Sequence, residues 1–273
     1  MYIKLACLAL VLFGVASATS ENRLVGGTPT TIREFPYIVA ITYHYPSIGL
    51  TIQRCVGSLV SSWHVLTSSF CFTGANLNNM LVRAGSSYSL SGGIEVPIRS
   101  VVQHPDYEAA PRTADLAVVF LANALPITGD INVLFIPAPG TYIPDGQEVK
   151  IVSWGFESEP GPGSVQLNSL KSILLSKIPL DACEAIYENS EGVSIDEAVI
   201  CTNAIGRGTC FGDSGAPAVI GDVLVGVSSF YQECGNDNYP DVLTRIDKYT
   251  DWIVQVATAP NREGTPLKTA KVY

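Results

Sequence analysis

Gly212-Asp-Ser-Gly-Ala-Pro-Ala-Val-Ile-Gly-Asp-Val-Leu-Val-Gly-Val-Ser228 is a glycine-rich turn running into an apolar segment, with Cys210 two residues ahead of it. A simple tight turn explains the glycines but not the flanking Cys210 or the charged Asp213. Outward from here the same rhythm repeats. Tyr37-Ile-Val-Ala-Ile-Thr-Tyr43 and Val149-Lys-Ile-Val-Ser153 are also short apolar runs bounded by Gly, Pro, Asn and Asp. Short runs punctuated in this way predict an all-β chain, a barrel or a sandwich. Two helices are expected. One starts at Pro179-Leu-Asp181 with Asp181 as its N-cap. The other closes the chain at about 247–258, where Tyr249, Trp252, Ile253 and Val256 form one apolar stripe to pack on the last strands.

The chain has 273 residues, 47% of them apolar and 15% charged, which is ample for a sizeable core and excludes disorder for most of it. A formal net charge of -9, with no run of Lys or Arg, argues against nucleic acid or an anionic membrane as partner. Lys4 precedes an apolar stretch from Leu5 to Val15 that ends in Ala16-Ser17-Ala18. This reads as a secretory signal peptide, residues 1–18, because a membrane span needs about 20 apolar residues. The expected product is secreted and extracellular. Removing Cys7 leaves Cys55, Cys71, Cys183, Cys201, Cys210 and Cys234, an even set that suggests three disulfides in an oxidising compartment. Sequence alone does not choose their pairing. There is no C-x-x-C, and the histidines are His44, His64 and His104, so no metal site and no cofactor are assigned. Residues 259–273 turn to Pro, Gly, Lys and Thr without periodicity and read as a flexible tail.

Eight motifs then line up with one family: Arg23-Leu-Val-Gly-Gly27, Cys55-Val-Gly-Ser-Leu59, Thr67-Ser-Ser-Phe-Cys71, His104-Pro-Asp-Tyr107, Asp115-Leu-Ala-Val118, Ser153-Trp-Gly155, Gly212-Asp-Ser-Gly-Ala-Pro217 and Pro240-Asp-Val-Leu-Thr-Arg245. Their order and cysteine intervals resemble the chymotrypsin-family serine proteases, most of all the digestive trypsins of insect midgut. The resemblance implies two six-stranded antiparallel β-barrels, at about 24–125 and 126–246, with a C-terminal helix and a cleft between the barrels. It also implies a short activation propeptide, 19–23, and the pairings Cys55 to Cys71, Cys183 to Cys201 and Cys210 to Cys234.

By the same resemblance Ser214 matches the nucleophile, and the N–H groups of Gly212 and Ser214 match the oxyanion hole. Asp115 matches the carboxylate that orients the histidine, with Ser229 as its hydrogen-bonding serine. The histidine itself is missing. The ungapped interval from Cys55 to Cys71 puts Phe70 where the general base belongs, and a phenyl ring has no lone pair and no proton to exchange. Losing that base costs on the order of a millionfold in turnover. His64 is the tempting substitute, but it falls at a packed strand position. His44, in a loop, and His104, in the His-Pro-Asp-Tyr turn, read as structural. Ala216 stands where the family has a second Gly, and its methyl would strain the turn if the position requires positive φ.

Arg23-Leu24 resembles the activation cleavage site, after which the new amino group of Leu24 would pair with Asp213. Gly208 falls at the pocket base where trypsins carry Asp, while Asp241 falls where they carry Gly, so a carboxylate could still face a Lys or Arg from the other wall. Phe230 replaces a Trp and Tyr231 a Gly at the pocket mouth, and Tyr231 is expected to plug it. These readings predict a non-catalytic homologue, a monomer that binds protease inhibitors as a decoy or proteases as a regulator. The alternatives are a weak or atypical endopeptidase or esterase using Ser214 and the oxyanion hole, and a storage protein whose fold is a relic.

Overall fold

In a computed structural model the chain is described over residues 24–161, 168–259 and 269–270. The signal segment, the propeptide with Arg23, and the tail apart from Ala259 and the backbone of 269–270 lie outside the described residues.

Twelve strands make two closed barrels. The first contains β1 (Ile38–Tyr45), β2 (Leu50–Leu59), β3 (His64–Thr67), β4 (Met80–Ala84), β5 (Ile94–Gln103) and β6 (Ala117–Leu121), in the order β1-β2-β3-β6-β5-β4, with β4 pairing back on β1. The second contains β7 (Glu148–Ser153), β8 (Lys171–Lys177), β9 (Val199–Asn203), β10 (Pro217–Ile220), β11 (Val223–Phe230) and β12 (Asp241–Arg245), in the order β8-β9-β12-β11-β10-β7, closed by the β7–β8 pairing. All these pairs are antiparallel, and closure leaves no long free edge.

Sequence periodicity explains the layering. In β4, Met80, Val82 and Ala84 face inward while Leu81 and Arg83 are half-exposed, the two-residue period of a strand with one buried face. β6 is instead buried on both faces. Val119 and Leu121 join Val39, Ile41 and Val82 in the first barrel's core, while Val118 and Phe120 join Ile38, Ile151, Leu175 and Val227 in a larger core drawn from both barrels. A strand between two cores reads as an unbroken apolar run, as Ala117-Val-Val-Phe-Leu121 does.

Three boundaries differ from the sequence reading. Thr28–Pro29 pairs with Ser172 and Lys171 of β8, so the stretch assigned to the first barrel begins by adding to the second. Helix α1 spans Leu180–Tyr187 with Pro179 at its N-cap, so Asp181 lies inside the first turn, where its Oδ1 accepts from Ala182 N at 2.9 Å. Its charge still favours the positive end of the helix dipole. The closing helix α2 is Thr250–Thr258, preceded by a 3-10 turn at Ile246–Lys248. Asp247 does not start it because its buried carboxylate is taken by Arg245, Nε to Oδ1 at 2.6 Å. Nor does α2 pack on the last strands alone: Trp252 and its N-cap residue Tyr249 close on the His104 ring at 4.7 and 5.0 Å, strapping the first barrel to the second. The disulfides are Cys55–Cys71, Cys183–Cys201 and Cys210–Cys234, the pairing the resemblance implied.

Candidate functional site

The cleft between the barrels has a volume of about 410 Å³, and Phe70, Arg112, Gly212, Ser214, Ser229 and Tyr231 are among its walls. Asp115 lies behind it, fully buried just before β6. Ser68 Oγ donates to its two oxygens at 2.7 and 2.8 Å, Ser229 Oγ donates at 2.6 Å and Phe70 N at 2.9 Å. Burial pushes this carboxyl up, and the bonds from Ser229, Ser68 and Phe70 pull it back. The acceptor is thus satisfied without an imidazole. Ser68 supplies one of its donors, and nothing in its own sequence context announces that.

Phe70 sits in the 3-10 turn Ser69–Phe72, half-buried. The Arg112 guanidinium lies 4.0 Å from the centre of its ring, and Arg112 Nη1 donates to Ser229 O at 3.1 Å. Arg112 adopts φ +69°, a left-handed conformation uncommon for a residue with a side chain. It was not among the residues the motifs singled out, because the segment carrying it matches none of them.

Ser214 Oγ has no hydrogen-bond partner among the described residues, and the same is true of the backbone N–H groups of Gly212 and Ser214. Gly212, at φ +91°, is fixed through its carbonyl, which accepts from Gln53 Nε2 at 2.7 Å. Gly215, at φ +86°, leaves no room for a side chain, since a Cβ there would collide with Val56 O and Thr67 Oγ1. Ala216 is fully buried and has no positive φ, so the strain considered at that position does not arise.

At the pocket base, a Cβ on Gly208 would lie 2.9 Å from Gly235 Cα and 3.2 Å from Asp241 Oδ2. Asp241 is buried and accepts from Thr209 N and Thr209 Oγ1 at 2.8 and 2.9 Å, while burial pushes its carboxyl up to about 7. Both oxygens are therefore turned to Thr209, and Asp241 is not part of the cleft wall. That works against its facing a Lys or Arg from the cleft. Tyr231 is half-buried at the mouth, its hydroxyl held in the neutral form by burial and by the negative fields of Glu159, Asp213 and Asp241. Phe230 also lines the cleft, its ring edge-on to Tyr187 at 5.7 Å.

Asp213 is buried and accepts from Gly155 N at 2.9 Å and Cys210 N at 2.8 Å. Burial pushes it up to about 7. Leu24 is 1% exposed in the larger core, and Val25 O accepts from Gly208 N at 3.3 Å, so the start of the described chain already lies along the segment leading to Ser214.

His64 is buried, bonded to Ser61 Oγ through Nδ1 at 2.7 Å and edge-on to Phe120, with its Nε2 unpartnered. Burial lowers it to about 4, the behaviour of a packed neutral ring. His104 packs under α2. His44 lies within β1 rather than a loop, bonded to Thr51 Oγ1 across the β1–β2 pair at 2.9 Å. No helix among the described residues is long and apolar enough to cross a membrane.

Comparison with known proteins agrees with the geometry. The Trypsin family model matches residues 24–253. Trypsin, alkaline C of Manduca sexta is 32% identical over 93% of this chain and 98% of its own length. Trypsin delta of Drosophila erecta is 31% identical over 87% and 89%, and Trypsin CFT-1 of Choristoneura fumiferana 29% identical over 93% and 98%.

Proposed function

The chain belongs to the trypsin family, and from that premise we propose that it is a secreted, non-catalytic member that acts by binding a protein partner, a protease inhibitor or a protease, in its cleft. One observation carries this reading. Phe70 stands where the base would, Arg112 covers its ring, and Ser68 satisfies the carboxylate that would have oriented a histidine. Ser214 then keeps the pKa of an alcohol and a leaving amine has no acid to protonate it. Three disulfides support an extracellular setting. Inhibitors that recognise the shape of a cleft do not need its base, which makes binding without hydrolysis physically reasonable.

The test is a rate comparison on peptide anilides and esters, after cleavage at Arg23, between the wild type and its Ser214→Ala variant, together with binding of trypsin inhibitors. Inhibitor binding with no Ser214-dependent turnover supports the proposal. Turnover that Ser214→Ala abolishes overturns it in favour of a weak esterase, a second reading supported by the uncommitted N–H groups of Gly212 and Ser214.

A further inference from the structure

Arg112 brings a permanent positive charge to the cleft, and among the described residues no carboxylate lies within ion-pair distance of it. Of its five N–H donors one is committed, to Ser229 O. The side chain is fixed on both sides, by the Phe70 ring and by that carbonyl, so little freedom remains to be lost when a ligand binds. The same cleft holds the N–H groups of Gly212 and Ser214, which find no acceptor among the described residues. A fixed guanidinium and two unused amides in an aromatic-walled cleft form a donor set for an anion, and a planar carboxylate matches the guanidinium fork. Nearby carboxylates among the described residues oppose this charge only in part, since none of them forms an ion pair with it. Asp115 is sealed behind the wall by its own donors, and Glu159, the carboxylate within the cleft, accepts from Cys234 N at 3.2 Å. Asp106, Glu108 and Asp196 line a neighbouring depression that Arg112 also borders, and none of them forms an ion pair with it.

We propose that the cleft recognises a carboxylate on an extended peptide segment of the partner, an acidic side chain or a chain end, with Arg112 as the residue that sets this preference. The proposal rests on the binding reading above and specifies its ligand. A basic side chain would meet Arg112 at the wall, Tyr231 at the mouth and an Asp241 already committed to Thr209.

Calorimetric titration at millimolar peptide tests it with a capped pentapeptide carrying one central glutamate, its glutamine and lysine counterparts, and an uncharged peptide ending in a free carboxylate alongside its amide. The glutamate or the free-carboxylate peptide is expected to bind at least about tenfold tighter than its neutral counterpart. Arg112→Gln should erase that difference, and Arg112→Lys should keep part of it. Whichever pair shows the preference identifies the source of the carboxylate, and thermal melts establish that both variants are folded. Equal binding of charged and neutral peptides, preference for lysine, no binding at all, or a preference that survives Arg112→Gln each overturn the proposal. Mass spectrometry of the same mixtures keeps the two readings apart, because Ser214-dependent cleavage would defeat the binding-only function whatever the carboxylate preference.

Discussion

A histidine restored at position 70 would arrive at a carboxylate whose oxygens are already taken. Ser68 Oγ spans both oxygens of Asp115 and Ser229 Oγ adds to one of them, so the new imidazole would compete for its orienting partner. Phe70→His alone is therefore expected to recover little of the roughly millionfold that a triad histidine contributes. Phe70→His with Ser68→Ala should exceed it in kcat/KM by at least about tenfold on the same ester substrate. Equal rates for the two variants would mean that Ser68 does not stand in the histidine's way. Thr209 poses a similar question at the pocket base, where it donates twice to Asp241. Thr209→Val keeps the shape but removes one donor from a buried carboxyl, and a loss of about 1–3 kcal/mol is expected in denaturant unfolding.

At the scale of elements, α1 is too short to hold itself in water, and its N-cap residue, Pro179, makes no side-chain capping bond. It is held by Cys183–Cys201 and by Tyr187, whose hydroxyl donates to Pro240 O at 2.7 Å and whose ring supports Phe230 beside the cleft. Replacing both cysteines by alanine should lower stability by about 3 kcal/mol, the loop-closure value for this separation of 18 residues. It should also weaken ligand binding through Phe230, measurable as a rise in Kd; an unchanged Kd would show that α1 and the cleft are independent. The strands were legible as short apolar runs between turn residues, but that pattern fits a barrel or a sandwich alike, and it was the family resemblance that implied two barrels. Ser214, Asp115 and the substitution at Phe70 were legible because short motifs carry them at fixed intervals from cysteines. Arg112 and Ser68 were not. Their roles depend on a left-handed backbone at one residue and on a hydroxyl reaching a carboxylate 47 positions away, and neither leaves a local pattern.

For the molecule as a whole, buried ionisable groups set how stability varies with pH. Asp213 and Asp241 are each raised to about 7, so the folded state holds their protons more tightly than the unfolded chain, where carboxyls titrate near 4. Their stabilising contribution is complete below pH ~4 and is lost as the pH rises through about 7. His64, lowered to about 4, acts in the opposite sense, and its contribution is lost as the pH falls from ~6.5 toward 4. Two carboxyls outweigh one imidazole, so the uncleaved chain is expected to melt at a lower temperature at pH 8 than at pH 5, and Asp213→Asn should reduce that difference. Cleavage at Arg23 would change the balance, because an amino group freed at Leu24 could pair with ionised Asp213 and relieve an unpaired buried charge. The cleaved form should therefore gain in Tm over the intact chain at pH 8 and much less at pH 5, where Asp213 is protonated. A gain of equal size at both pH values, or one that persists in Asp213→Asn, would place the effect of cleavage somewhere other than this carboxylate.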